Sequence, residues 1–234
     1  NGSGVTLYLP DHDLLAVTTL QAKAQNATPK TIVVADYFLE PQHLGPPYSR
    51  IEIDLSSTAA FESGDTPQRS ISVLGRWGYN EDTKAAGALA EADDGSETEL
   101  DVTDASLIDV GDTILIGTEA MFVSKKAALT TGTTLNDTLT ADLNDVTVTL
   151  TSGAAVKQGE YILLDSEKML VESISSNDLT VKRAIDGSVL AAHSTGIVVY
   201  AYRTLTVVRA VNGTTAATHS NGATVSRYRY PPVV

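Results

Sequence analysis

Cysteine is absent from this chain of 234 residues, so disulfides and cysteine-ligated zinc cannot hold its fold together. Basic residues are scarce as well: 16 Lys and Arg stand against 29 Asp and Glu, which gives a net charge of −13. Proteins that bind nucleic acid use Lys and Arg to neutralise phosphates, so this balance argues against ordinary nucleic-acid binding. An acidic surface favours solubility, and beside DNA it would repel the duplex.

Long apolar segments are also missing. No stretch approaches the roughly 20 apolar residues that a membrane-spanning helix needs, and no signal-peptide pattern opens the chain, so we expect no membrane contact. The first residue is Asn, which indicates a processed chain or a piece of a longer one. The apolar residues that are present are mostly Val, Ile and Leu interspersed with Thr, a composition typical of β-strands. The predicted fold class is therefore all-β.

Residues 1–92 are predicted to form a small antiparallel sandwich or barrel. Short segments of alternating apolar residues recur there, with turn residues about every 8–12 positions between them. Residues 80–96 are small, polar and acidic, and they predict a linker with a short helical turn at Ala85–Ala92. The predicted strands of the first block are Val5–Leu9, Leu14–Leu20, Thr31–Val34, Tyr37–Leu39, Arg50–Leu55 and Ser70–Tyr79.

The remainder of the chain contains an internal repeat. The segment Gly159–Leu164 has an earlier counterpart at Gly111–Ile116, whereas Leu179 has a later counterpart at Leu205. In one copy the two landmarks, Gly159 and Leu179, are therefore close together. In the other copy the landmarks, Gly111 and Leu205, lie before and after the whole of that copy. The additional length of the second copy is about that of one whole unit with its connections.

These offsets predict a nested arrangement. Residues 93–127 and 204–230 would form one split β unit, and residues 128–203 a second, related unit inserted into a hairpin loop of the first, where insertions are tolerated. A deletion that joins Ala127 to Thr204 is then expected to leave a folded protein. The alternative is two tandem units, with the additional length a coincidence.

Polar residues also recur at equivalent positions of the two copies. His193 and His219 form one such pair. Two histidines can act as metal ligands or as a pH switch, but a structural hydrogen bond to the link ahead of each following glycine turn is favoured. Two equivalent arginines are predicted to bridge hairpins as surface ion pairs worth about 0–1 kcal/mol. These pairs are Arg183 with Glu167 and Arg209 with Glu119.

No pattern in the sequence predicts catalysis. There is no nucleophilic serine elbow and no phosphate-binding loop. Asp11-His12-Asp13 follows a proline and Asp93-Asp94-Gly95 lacks the ligand spacing of a calcium loop, so both indicate turns. Asp186-Gly187 and Asn212-Gly213, each flanked by predicted strands, predict tight hairpin turns with positive φ. We therefore expect that this protein is not an enzyme, that it has no catalytic, cofactor-binding or metal-binding residues, and that it binds no cofactor.

Two segments carry a family resemblance. Residues 14–79, with the stretches ADYFL, PYSRIEI, SISV and RWGY, resemble the β-portion of head–tail connector (adaptor) proteins of long-tailed bacteriophages. Residues 205–232, with RAVNGTTAA and SRYRYPP, are similar to stretches in phage virion structural proteins. Together they cover about two fifths of the chain. The helices that precede and follow the β-portion in that family have no counterpart within residues 1–234.

The resemblance implies a non-enzymatic virion protein, assembled in the bacterial cytoplasm. It would be a connector subunit in the neck of the particle, forming a homo-oligomeric ring between portal and tail. Its partners would be copies of itself and the portal and tail or neck proteins, while DNA would pass without specific binding. Two alternatives remain: a phage baseplate, tail-tip or capsid-decoration protein, and a carbohydrate-binding or adhesin module whose glycan surface consists of exposed tyrosines, Tyr200, Tyr202, Tyr228 and Tyr230.

Overall fold

The computed structural model describes residues 4–9, 13–78 and 82–230, and within them the fold is all-β and antiparallel, as predicted. Short 3-10 helices occur at Val34–Asp36, Gln42–Leu44 and Gly153–Ala155. The strands are β1 (Thr6–Tyr8), β2 (Leu14–Ala22), β3 (Lys30–Ile32), β4 (Tyr37–Glu40), β5 (Arg50–Ile53), β6 (Ile71–Trp77), β7 (Thr83–Ala88), β8 (Glu99–Asp101), β9 (Thr113–Ile116), β10 (Glu119–Thr134), β11 (Thr147–Thr149), β12 (Tyr161–Leu164), β13 (Glu167–Ser175), β14 (Asp178–Lys182), β15 (Val198–Val208) and β16 (Thr224–Tyr228).

The chain divides into two compact units. The first contains the described residues up to Asp82 together with Arg229 and Tyr230. It has two three-stranded sheets, in the orders β1-β5-β4 and β3-β2-β6, and apolar residues of both sheets share one core. This arrangement is the predicted small sandwich, and each predicted strand is present. At one of them Val34 begins a 3-10 helix instead of ending the strand, and Tyr79, the predicted end of another, lies outside the described residues.

The second unit, Thr83–Tyr228, is built on one large sheet. Its strand order is β11-β14-β13-β12-β15-β10-β9-β16-β7, and β8 pairs with β15 beside this path. Two separate apolar cores lie along the sheet. One is formed by residues from both ends of the unit, between Ala86 and Val225, and the other by residues between Leu135 and Ala201. Along the sequence, the residues of the second core therefore lie between the two groups of residues that form the first core.

The predicted linker at residues 80–96 is wrong over most of its length. β7 pairs with β16, and Leu89 forms a bridge to Val102. Because β7 spans Thr83–Ala88, the predicted helical turn at Ala85–Ala92 is also wrong, and Ala86 and Leu89 are buried in the first of the two cores. The sequence did not predict this strand, because Ala and Gly give only a weak alternation of apolar and polar residues. The repeat unit consequently begins near Thr83, and the sandwich ends near Asp82 rather than at residue 92.

Strand register demonstrates the nesting. In the inserted unit, β13 and β14 pair from Leu170↔Lys182 to Ser175↔Asp178, with one bulge after Val171. In the outer unit, the first half of β10 and the last half of β15 pair from Phe122↔Val208 to Ala127↔Thr204, with the bulge at the equivalent place. A two-residue turn, Ser176-Asn177, closes the first hairpin. Residues 128–203 occupy the place of that turn in the second, which excludes the tandem alternative.

β10 and β15 are long because each belongs to both units. The second half of β10, up to Thr134, is the first strand of the inserted unit and pairs with the first half of β15, as β7 pairs with β16 in the outer unit. The prediction that two tight turns close hairpins is wrong, because both turns lie within the irregular links that follow β14 and β15. Asp186, Gly187, Asn212 and Gly213 have positive φ there, as predicted.

Candidate functional site

The most buried polar group of the inserted unit is the Glu167 carboxylate, at the start of β13. Arg183 follows β14 directly and donates to it from Nε (3.0 Å) and Nη2 (2.7 Å). The backbone N–H groups of Ala184 (3.2 Å) and Ala191 (3.0 Å) also donate to it, and His193 Nε2 lies 2.9 Å from Oε2. The side chains of the Glu167–Arg183 pair are completely buried. The link after β14 thus folds around one carboxylate.

The outer unit repeats this cluster. Glu119 accepts from Arg209 Nε (3.1 Å) and Nη2 (2.7 Å), and from the N–H groups of Ala210 (3.2 Å) and Ala217 (2.9 Å). His219 Nε2 lies 3.0 Å from the same carboxylate. The predicted pairing of arginines with glutamates is therefore present in both copies. The prediction that these pairs are surface contacts is wrong, because the link after each hairpin covers them, and buried ion pairs follow different energetics from exposed ones.

Each cluster has its own additional partner. Arg209 Nη1 donates to both oxygens of Asp93, at 2.7 Å each, whereas Arg183 Nη1 donates to backbone carbonyls, among them those of Asp142 and Asp145. His193 also contacts Asp165 through Nδ1 (2.9 Å). The side chains of both histidines contact buried glutamates, not the link predicted for them. The Asp93 carboxylate thus accepts hydrogen bonds from Arg209 and from the backbone N–H of Gly95.

Both glutamates are held in the charged form. Burial works against the charge of Glu167, but the hydrogen bonds from Arg183, Ala191 and His193 outweigh it, and the pKa of this carboxyl lies below its ordinary value of 4.5. The pKa of Glu119 is lowered for the same reason: burial is outweighed, here by Arg209 and the other donors of its cluster. These clusters are saturated with donors, so their arrangement suits a structural role rather than proton transfer.

A third buried pair connects the two repeats. Arg203 donates to Glu160 from Nε (2.6 Å) and Nη2 (2.7 Å), and the N–H of Ala105, in the outer unit, donates to the same carboxylate (3.2 Å). The equivalent residue in the outer unit is Asp112, where Arg227 approaches only to 3.5 Å. This pair was not predicted, although an acidic residue at the matching position of each repeat was a usable signal in the sequence.

A cationic cleft of about 430 Å³ lies where the two repeats meet. The Lys168 ammonium sits between two aromatic rings, 4.6 Å from the ring centre of Tyr161 and 4.7 Å from that of Tyr202. Lys125 and Lys126, from the outer unit, also line the cleft, and the Lys126 ammonium lies 5.9 Å from the ring centre of Tyr161. The sequence does not reveal this cleft, because its residues come from both copies and share no spacing.

The first unit exposes large apolar side chains. Phe38 and Tyr8 stand on the sheet β1-β5-β4, in register with Glu52 and Arg50. Val34 (78 % exposed) and Leu55 (79 %) flank the end of the same sheet, where Asp54 N donates to Asp36 O. Val33 and Leu44 are exposed in the same unit. Exposed apolar side chains that form a contiguous patch are typical of surfaces that meet another protein.

The described residues contain no cluster of three or more His, Cys, Asp or Glu that could hold a metal ion. None of their helices is long and apolar enough to cross a membrane. Asp11 and His12 lie outside the described ranges. Tyr200 and Tyr230 are exposed, as the glycan-surface hypothesis requires, but Tyr228 is 5 % exposed, so its predicted exposure is wrong.

No family model, no curated protein and no solved structure matches this chain. The fold and its contacts define the class: this is an all-β protein in which one β unit is inserted into a hairpin of a second, related β unit.

Proposed function

We propose that this chain is a structural subunit of a phage virion, a head–tail connector that forms a ring between portal and tail. The observation that carries the proposal is the exposed apolar surface of the first unit, which includes Phe38, Val34 and Leu55. This unit is also the part of the chain that resembles the connector family. Such side chains would become buried when neighbouring copies and the portal pack against them.

Open sheet edges support the same proposal. The sheets of the first unit end in β1 and β4, and in β3 and β6, and the described residues pair no further named strand with them. An unpaired edge accepts a strand from a neighbouring chain through backbone hydrogen bonds. Repeated head-to-tail contacts of this kind close into a ring under cyclic symmetry. The acidic surface would keep the passing DNA from adhering.

Native mass spectrometry over a range of concentrations, with and without purified portal protein, tests the proposal. We expect a closed oligomer, or a complex with portal, and its loss in the double variant V34D/L55D. Val189→Asp is the matched control, because Val189 is 76 % exposed in the second unit. A chain that stays monomeric at high concentration with portal present would contradict the proposal.

A baseplate, tail-tip or capsid-decoration role is the alternative within the same class. Labelling the protein in intact particles separates the two, since label at the neck supports the connector and label elsewhere supports the alternative.

A further inference from the structure

The cationic cleft exists because one repeat is inserted into the other. Lys125 lies on the outer part of β10, Tyr161 and Lys168 lie on the hairpin β12–β13, and Tyr202 lies on β15. Neither repeat alone contains all of these residues. In a chain of net charge −13, this cleft brings three lysines together with two aspartates, Asp109 and Asp186.

The repeat fold does not require the side chains of this cleft. Tyr161 and Lys168 correspond to Thr113 and Ala120 of the outer unit, in the same alignment that matches Gly159 with Gly111. The backbone bonds are retained in both copies: Lys168 N donates to Ser188 Oγ (3.0 Å), and Ala120 N donates to the Thr214 hydroxyl (3.0 Å). The ring and the ammonium at these positions are therefore particular to the inserted unit.

The three lysines of the cleft differ in the contacts that their ammonium groups make. Lys126 is committed to the fold: its ammonium donates to the carbonyls of Ala105 (3.1 Å) and Ile108, and burial lowers its pKa. Lys168 is fixed between the tyrosine rings and contacts Asp186. In the part of the chain that the structure describes, the Lys125 ammonium forms neither a hydrogen bond nor an ion pair. The Lys125 ammonium can thus receive an anion, beside the positive charge of Lys168.

The residues at the rim of the cleft restrict the class of ligand further. Carboxylates of Asp109 and Asp186 lie beside the lysines and would repel the successive phosphates of an extended polyanion. They would accept hydrogen bonds from hydroxyl groups, while the tyrosine rings offer apolar faces to a sugar ring. We propose that this cleft binds an acidic saccharide, a sugar with one or two carboxylate or phosphate groups and free hydroxyls. The proposal goes beyond the connector function and does not depend on ring formation.

Calorimetric titration of the full chain, at a concentration where it is monomeric, tests this binding. The probes are an oligogalacturonate, which carries carboxylates, an oligomer of glycerol phosphate, and a neutral malto-oligosaccharide of similar length. We expect one acidic probe to bind, more weakly as salt rises, and the neutral probe not to bind. The acidic probe that binds identifies which anionic group the cleft prefers.

Two variants copy residues that the outer repeat already contains, Tyr161→Thr and Lys168→Ala. Each is expected to weaken binding about tenfold while the chain stays folded. Lys182→Ala is the control, because Lys182 is an exposed lysine of the same unit outside the cleft. No binding of either acidic probe, equal binding of the neutral probe, or affinity unchanged in both variants would overturn the proposal.

A cleft that serves a protein partner gives a different result. Self-association, or binding of a poly-glutamate peptide, that is lost in the same two variants while neither acidic saccharide binds would assign the cleft to an acidic segment. None of these outcomes bears on whether the first unit assembles with portal.

Discussion

At the scale of single residues, the molecule depends on two copies of one polar cluster. Each places a glutamate at the start of a strand, and an arginine, a histidine and two backbone N–H groups converge on it. The sequence showed that the residues are equivalent, and it suggested their pairing. It could not show their burial, because burial depends on how the link after each hairpin folds over them.

Removing one of these charges should be costly. In Glu167→Gln the Arg183 guanidinium loses its counter-charge while both side chains are buried, so we expect the free energy of unfolding to fall by about 3–5 kcal/mol. Urea denaturation at neutral pH measures this change. Glu172→Gln, at an exposed position of the same strand, should alter stability by less than about 0.5 kcal/mol. Equal effects of the two substitutions would contradict the structural role of the cluster.

Acid should weaken the fold through the same carboxylates. The pKa values of Glu119 and Glu167 lie below 4.5 in the folded chain, so the unfolded chain binds protons first as pH falls. Their contribution is complete above pH 4.5 and is lost as pH falls through the lower folded pKa. Urea denaturation at several pH values between about 6 and about 3 should show this decline. The variant E119Q/E167Q should show a smaller decline, and an identical pH profile would refute the assignment.

At the scale of elements, the hairpin β13–β14 shows what the outer hairpin looked like without its insert. Its turn, Ser176-Asn177, packs over Gly153, where a Cβ would approach Ser176 O to 2.1 Å. The outer unit has Ala105 at the equivalent position, and there the chain continues into the insert instead of turning. The glycine is needed only where the turn is closed.

Closing the outer hairpin should therefore restore a single unit. Replacing residues 128–203 with Ser-Asn connects Ala127 to Thr204 through the turn that joins the equivalent residues of the inserted unit. We expect a β-rich, cooperatively unfolding protein, and we expect the added substitution Ala105→Gly to stabilise it by relieving the close approach. Circular dichroism and thermal unfolding measure both effects.

The control for this deletion removes one further residue, Ala127. A one-residue slip reverses the faces of the strand, so this chain should fail to fold. If both deletion variants collapse, the outer unit does not fold without its insert.

Gly153→Ala tests the same contact in the intact chain. The added Cβ would meet the Ser176 carbonyl at 2.1 Å, and relieving this overlap should cost about 1–3 kcal/mol of unfolding free energy. Thermal or urea denaturation measures the loss. Ala154→Ser, at the exposed neighbouring position, should change stability by less than about 0.5 kcal/mol. A neutral Gly153→Ala would mean that the turn can move away at little cost.

At the scale of the whole molecule, the two compact units carry different proposals. The apolar surface proposed for ring assembly belongs to the first unit, and the cleft proposed for acidic saccharides belongs to the second. Each unit has its own apolar core or cores, so the second unit has the buried surface that independent folding requires.

The second unit should accordingly fold alone. A chain of Thr83–Tyr228 is expected to unfold cooperatively, to remain monomeric where the full chain assembles, and to retain the saccharide binding of the full chain. Calorimetry and native mass spectrometry measure the three properties. An aggregated or unfolded fragment would show that the second unit depends on the first.

The sequence by itself determined the all-β class, the strands of the sandwich and the nesting of one β unit in its relative. These features follow from local alternation and from the spacing of repeated segments, which are written along the chain. Only the tertiary structure decided that residues 83–88 form a strand, that the ion pairs are buried, and that lysines and tyrosines of two different repeats share a cleft. Burial and convergence depend on contacts between distant segments, and no local pattern of residues encodes them.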